Sequence, residues 1–136
     1  MDTHSHIVSE LLKSVSREHL TIKALHYELN EVSSILNNGN ASIKLLGELV
    51  SVVCTHIEHE EELMRLVRYK STLPHNESHN EIIRFLTSMT LECQRNVSQF
   101  HYADAASVAR WICEHEEEHD NPLYEFIKSS YSHICM

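Results

Sequence analysis

The chain reads as an all-α protein: an up-down-up-down antiparallel four-helix bundle closed by a short C-terminal helix after Pro122. Three observations predict this. Only two glycines and two prolines occur in 136 residues, so few positions favour a break. Apolar residues recur at steps of three and four through four long stretches, the period of helices that bury one face. The stretches are joined by a few residues each, which favours antiparallel neighbours. With 42% apolar residues, residues 1–136 form one domain able to bury a core of its own.

The first helix is expected from about Ile7 to Leu36. Ile7, Leu11, Val15, Leu25, Leu29, Val32 and Leu36 form its stripe, and the polar residues Met1 to Ser14 lead into it. Asn37-Asn38-Gly39-Asn40 ends it, since Asn and Gly tolerate the left-handed conformation that stops helices. The second, about Ala41 to Tyr69, repeats Leu46, Leu49, Val53, His56, Glu60, Leu63 and Val67, so two polar residues lie within its core stripe. Ser71-Thr72-Leu73-Pro74 makes the next turn. A third helix, about His75 to Val97, carries His79, Ile82, Ile83, Leu86, Met89 and Cys93. A fourth runs from about Asp104 through Val108, Trp111, Ile112 and His115 until Pro122 interrupts it, and Leu123 to Tyr131 form the terminal helix.

A formal charge of −9 argues against a nucleic-acid partner, which needs a basic stripe, and against anionic membranes. No apolar run is long enough for a membrane span and the first residues do not form a signal peptide, so the cytoplasm is the expected compartment. Cys54, Cys93, Cys113 and Cys135 form no Cys-x-x-Cys pair. Cys54 and Cys113 each precede a histidine by two positions, roughly 200° around a helix, and should point away from the histidine face.

Twelve histidines exceed what a fold of this size needs. His56 and Glu60 are four apart, as are His75 and His79, so each pair shares a helix face and can hold one metal centre. Imidazole with carboxylate suits iron, manganese or zinc. A bound metal also offsets the cost of placing His56 and Glu60 in an apolar stripe. His19 and His115 supply candidates from the other two helices. In helix four a regular helix would put His119 on the face of His115 and turn Asp120 roughly 140° away. Pro122 cannot donate to the Glu118 carbonyl and crowds it, which pushes Asn121 out of helical geometry and lets Asp120 swing inward. Spacing alone leaves His119 and Asp120 even. His4, His6, His59, His101 and His133 read as ordinary structural residues; His26, seven after His19, lies on nearly the same face as that residue.

These residues resemble a known family. His56-Ile57-Glu58-His59-Glu60-Glu61-Glu62-Leu63-Met64 is similar to the hemerythrin signature His-Phe-x-x-Glu-Glu-x-x-Met, and His75-x-x-x-His79 to that family's third-helix pair. Trp111-Ile112-Cys113-Glu114-His115 with Asp120 resembles its Trp-Leu-x-x-His…Asp end, and Glu18-His19-Leu20 stands where it has a Gln-His ligand. The resemblance covers roughly residues 15 to 125 and fills seven ligand positions. It implies a non-haem diiron centre. His75, His79 and His115 would hold one iron and His19 and His56 the other, with Glu60, Asp120 and an oxo or hydroxo group as bridges. The two-histidine iron would keep an open position for dioxygen.

Two departures from the family bear on function. Met1 to Ser14 lacks the family's tryptophan-containing arm, and Glu116 stands where the family has isoleucine or leucine beside the dioxygen site. Ile112 and Glu116 are therefore the expected oxygen-pocket residues. A carboxylate there would admit water, relay protons and speed autoxidation, unless it rotates out to solvent. The expectation is a protein that binds dioxygen, or nitric oxide, and senses oxygen or redox state rather than carrying oxygen in bulk. An output domain, fused or separate, would be its partner, and the stop at Ser132-His133-Ile134-Cys135-Met136 suggests an excised N-terminal module. The alternatives are a diiron oxidase, peroxidase or nitric-oxide-handling enzyme, and an iron-buffering or oxygen-storage protein.

Overall fold

The computed structural model describes residues 2–32, 39–95 and 102–131, and every element among them is helical. In order they are α1 (Thr3–Glu31), α2 (Gly39–Val67), α3 (Thr72–Arg95), α4 (Tyr102–His115), a π-helical turn (Glu116–Asp120) and α5 (Asn121–Ser130). α1 packs on α2, α2 on α3, and α4 on both α1 and α3, which makes a four-helix all-α arrangement. None of the described helices is long and apolar enough to cross a membrane. Leu36, the Asn37–Asn38 stop, Val97, Phe100, His101, His133 and Cys135 fall outside the described residues.

The helix ends follow from local chemistry. α1 starts at Thr3 rather than near Ile7 because Asp2 caps it, its Oδ1 accepting the Ser5 backbone N–H at 2.7 Å. α2 ends two residues earlier than its polar pattern suggests. Arg68 adopts φ 54°, while Arg68 N–H donates to Arg65 O and Tyr69 N–H to Met64 O. That pair of bonds is the Schellman stop, and Tyr69 packs against the apolar cluster to which Met64 belongs. α3 begins at Thr72, so Pro74 lies within its first turn, where a missing N–H costs nothing.

The core consists of two apolar clusters. One gathers Ile22 and Leu29 of α1, Leu46, Leu49, Val53 and Ile57 of α2, Ile82, Leu86 and Cys93 of α3, and Ala105 and Val108 of α4. The other gathers Val8, Leu12 and Val15 of α1, Leu63, Met64 and Val67 of α2, and Leu123 and Ile127 of α5. Early in α1 the buried stripe is Val8 and Leu12 rather than Ile7 and Leu11. Ser5 and Ser9 are buried on the same face, and Ile7 is exposed. The α2 stripe is buried as its periodicity requires, His56 and Glu60 included.

Leu63 is fully buried at the floor of the second cluster. Leu63→Ala should lower unfolding free energy by about 2–5 kcal/mol, read from urea denaturation, because little around it can collapse into the gap.

Candidate metal centre

Along α1, α2 and α4–α5, a layer of ionisable side chains separates the two apolar clusters. His56, Glu60, His75, His79, His115 and Asp120 are all buried, and His19 is nearly so. Their ligand atoms fall into two groups, each within 4.8 Å: Glu60, His75, His79, His115 and Asp120 in one, and His19, His56, Glu60 and Asp120 in the other. The seven candidate ligands thus converge, and each group could hold a metal ion.

Glu60 and Asp120 belong to both groups, and each carboxylate divides its oxygens between them. Glu60 Oε1 lies 3.4 Å from His75 Nε2, 3.0 Å from His79 Nε2 and 3.8 Å from His115 Nε2, while Oε2 faces His56 Nε2 at 3.5 Å. Asp120 Oδ1 lies 2.8 Å from His115 Nε2 and 3.1 Å from His75 Nε2, while Oδ2 faces His19 Nε2 at 3.3 Å. His56 Nε2, His115 Nε2 and Asp120 Oδ1 are nonetheless buried without a hydrogen bond. His115 and Asp120 are at ion-pair distance but out of hydrogen-bonding alignment. Lone pairs aimed at a common point rather than at one another are what ligands of a shared cation present, so the donor set fits a metal.

The outer ring nitrogens of three histidines are also held. Glu18 Oε1 accepts from His56 Nδ1 at 3.0 Å and its Oε2 from His59 Nδ1 at 2.5 Å. Ser78 Oγ bonds His115 Nδ1 at 2.7 Å. Glu116 Oε2 lies 3.5 Å from His19 Nδ1, and its Oε1 lies 3.6 Å from Lys23 Nζ. Such partners fix ring orientation and turn Nε2 inward.

Asp120 arrives by a backbone route different from the one its sequence suggests. Asn121 stays helical (φ −60°, ψ −44°), so Pro122 does not break the helix. Instead residues 116–120 form one π turn, with the Asn121 N–H reaching back five residues to Glu116 O. The wider turn returns Asp120 to the face of His115. His119 stays outside the cluster, its ring 5.3 Å from that of His115, lining an open depression of about 350 Å³ with Glu77, Glu81, Glu114 and Glu118.

Burial alone would lower the imidazoles of His56, His75, His79 and His115, but the two carboxylates overturn that for three of them. His115 is raised to about 9 by Asp120 and then Glu60, and His56 and His75 are raised as well, while His79 stays lowered by burial. Burial would raise the acids, yet His115 and the other imidazoles hold Glu60 well below its usual range and Asp120 at about 2.

A cavity of about 30 Å³ opens on this layer, room for a diatomic molecule or a water or two. Apolar Ile22, Val53, Ile57, Ile82 and Ile112 line it together with His19, His56, His79, His115 and Asp120. Of the two pocket candidates, Ile112 lines this cavity. Glu116 does not: its half-buried carboxylate sits between His19 Nδ1 and Lys23 Nζ. His26 is half-buried and outside both groups. Cys93 is buried, Cys54 half-buried and Cys113 exposed, all free, and none joins either group.

Sequence reasoning missed Glu18 as the partner of His56 and Tyr124 as a member of the layer. Tyr124 O–H donates to Glu60 Oε2 at 2.5 Å, and its oxygen lies 3.0 Å from His19 Nε2. A signal existed for both: Glu18 adjoins His19, and Tyr124 follows Asp120 by four, one helical turn on. No protein family, curated protein or solved structure matches the chain, so residues and geometry define its class: an all-α protein with a buried histidine–carboxylate cluster that could hold metal.

Two predictions arise from this geometry. In the metal-free protein, Asp120 stabilises the fold above its ordinary 3.8, and that contribution is lost as pH falls toward about 2. His115 stabilises it below 6.5, and that contribution is lost as pH rises through about 9. Urea midpoints of metal-free protein should therefore fall between about pH 6.5 and pH 9, whereas metal affinity should rise over the same interval because ligand imidazoles must be neutral. A metal-free midpoint that climbs with pH would contradict the pairing. Separately, Asp120→Ala should weaken metal binding by about 100-fold or more, beyond the roughly 10–100-fold cost of losing an outer partner, while His119→Ala should leave it near the parent value in isothermal titration.

Proposed function

We propose that this chain is a non-haem diiron protein of the hemerythrin kind, folded up-down-up-down, that binds dioxygen and senses oxygen or redox state. The observation that carries the proposal is the sharing of Glu60 and Asp120 between two ligand groups, with one oxygen of each carboxylate facing each group. A single metal ion has no use for two carboxylates splayed this way; two ions side by side do. The helix order is supported by the clusters: α1 starts in the cluster where α2 ends, and α2 starts in the cluster where α1 ends.

The split of histidines supports unequal sites. Three imidazoles (His75, His79 and His115) and two carboxylate oxygens nearly fill one ion's surroundings, whereas His19 and His56 leave the other more open. Two ferrous ions, when bound, supply the pair of electrons that two-electron reduction of dioxygen needs. The chain's own part is to hold and shield. Glu18, Ser78 and Glu116 orient rings, and Ile22, Val53, Ile57, Ile82 and Ile112 keep the cavity apolar, which favours a small uncharged molecule over bulk water.

An oxidase, peroxidase or nitric-oxide-handling enzyme was favoured by a carboxylate over the cavity. With Glu116 turned to His19 and Lys23, that support is withdrawn, and with it the expectation that Glu116 relays protons to bound dioxygen and the support the same carboxylate gave to sensing over carriage. The cytoplasm and a signalling output domain complete the reading.

Protein loaded anaerobically with ferrous iron should bind two irons per chain and, on exposure to air, gain the near-ultraviolet bands of an oxo-bridged diferric pair. One bound ion, or a strong preference for zinc when both metals compete, would contradict the diiron reading.

A further inference from the structure

α1 carries two apolar stripes, one turned into the bundle and one turned out. Val8, Val15, Ile22 and Leu29 recur every seven residues and are buried in the two core clusters. Leu20 and Ala24 lie two positions either side of Ile22, roughly 200° around the helix, and so point outward. Leu20 is 69% exposed and Tyr27 65%, with Ala24 exposed between them. Isolated apolar residues are ordinary on a protein surface. These three form a series. Arg17, Leu20, Ala24, Tyr27 and Glu31 follow at steps of three, four, three and four, the spacing by which one helix presents a seam to another.

The ends of the seam carry opposite charge. Lys13 and Arg17 lie toward its start, and Glu31 closes it. A second copy of α1 laid alongside in the same direction would set each charge against its like. Laid antiparallel, with Leu20 facing Ala24 of the second copy, the seam matches itself layer by layer. Arg17 then meets Tyr27 of the second copy and Lys13 meets its Glu31, each contact made twice because the pairing is two-fold symmetric. The layers are a large side chain on a small one, a guanidinium over an aromatic face, and an ammonium beside a carboxylate. Sliding the copies by one heptad either way sets Leu20 against Arg17 or Glu31 instead. In the single chain, Lys13 and Arg17 are held by exposed neighbours on their own helix, Glu10 and Ser14, each at 3.3 Å, and such contacts cost little to exchange. Lys23, at the edge of the seam, is offset within its own chain by Glu116 at 3.6 Å.

We propose that the outer face of α1 docks a second copy of this chain, antiparallel, as a two-fold dimer with Leu20 and Ala24 at its centre. The seam holds few apolar side chains, so the pairing is reversible, with a dissociation constant on the order of 10–100 μM. None of the seam residues is a candidate metal ligand, so the dimer and the diiron centre stand or fall separately.

The test is analytical ultracentrifugation of the full chain over a concentration series. The parent should pass from one chain to two as concentration rises. Leu20→Glu should stay monomeric throughout, whereas Leu73→Glu, at an exposed leucine of α3, should dimerise as the parent does. Lys13→Glu and Glu31→Lys each set like charges face to face and should each weaken dimerisation by about tenfold. Mixed in equal amounts, those two variants restore both opposed pairs and should associate as tightly as the parent. Should a variant fail to fold, zero-length carbodiimide cross-linking of the parent answers instead. It should join Lys13 to Glu31, which lie about 27 Å apart along one helix and can be joined only between copies. A parent that stays monomeric up to about 1 mM, a dimer indifferent to Leu20→Glu, or a mixture no tighter than either variant alone would overturn the proposal. So would cross-linked parent dimers without the Lys13–Glu31 link.

Discussion

Two carboxylates with almost no solvent contact, Glu60 and Asp120, lie in the middle of a helical core, and the rest of the molecule is arranged around making that tolerable. An unpaired buried carboxylate is among the costliest features a fold can carry. Five imidazoles from four helices answer it, which is why His56, His75 and His115 hold protons more tightly than free histidine although burial opposes this. Protons are a poor solution for so many convergent lone pairs, since the inward-facing Nε2 atoms of His56 and His115 and one oxygen of Asp120 still lack a hydrogen bond. Cations between the two histidine groups would satisfy them at once and release those protons. The same charges that burden the metal-free fold therefore favour metal capture.

The π turn is the backbone counterpart of this constraint. Helix four must offer His115 and Asp120 to the same point, and five residues is the wrong spacing for an α-helix. One i→i+5 turn corrects the phase without ending the helix, and Pro122 begins α5 where its lack of an N–H is harmless. The turn also leaves His119 outside the cluster. π turns recur at functional sites for this reason, since they shift the register of one or two side chains while the flanking helix keeps its packing. Leu123 and Ile127 lock the far side of the turn into the second cluster.

Much of this was legible in the sequence, and unevenly so. The i, i+4 pairs His56–Glu60 and His75–His79 lie on regular helices, where spacing fixes the face, and both come together as spacing requires. His119 and Asp120 could not be separated by spacing because the answer depended on a local change of helix type; Pro122 gave a correct warning of distortion but the wrong form of it. α1 starts before its apolar pattern does because Asp2 caps it, and its early buried stripe is Val8 and Leu12 rather than Ile7 and Leu11 because those are the residues that meet α2 and α5. Glu18 and Tyr124 were missed because their roles depend on contacts between helices distant in sequence, and a single sequence carries no direct record of such contacts. Glu116 is unusual by its residue type, but spacing leaves its orientation open between cavity and solvent, and the contacts that fix it, to His19 and Lys23 of α1, lie far away in sequence.

The central claim is that two metal ions sit side by side across Glu60 and Asp120. Anomalous X-ray scattering from crystals loaded anaerobically with ferrous iron tests it most directly. The account predicts two iron peaks in each chain, about 3.5–4 Å apart, a spacing common in two-metal sites. One peak should lie within bonding distance of His75, His79 and His115 and the other of His19 and His56, with both carboxylates between them. A single peak, or iron held in the outer depression lined by Glu77, Glu81, Glu114 and Glu118, would contradict it.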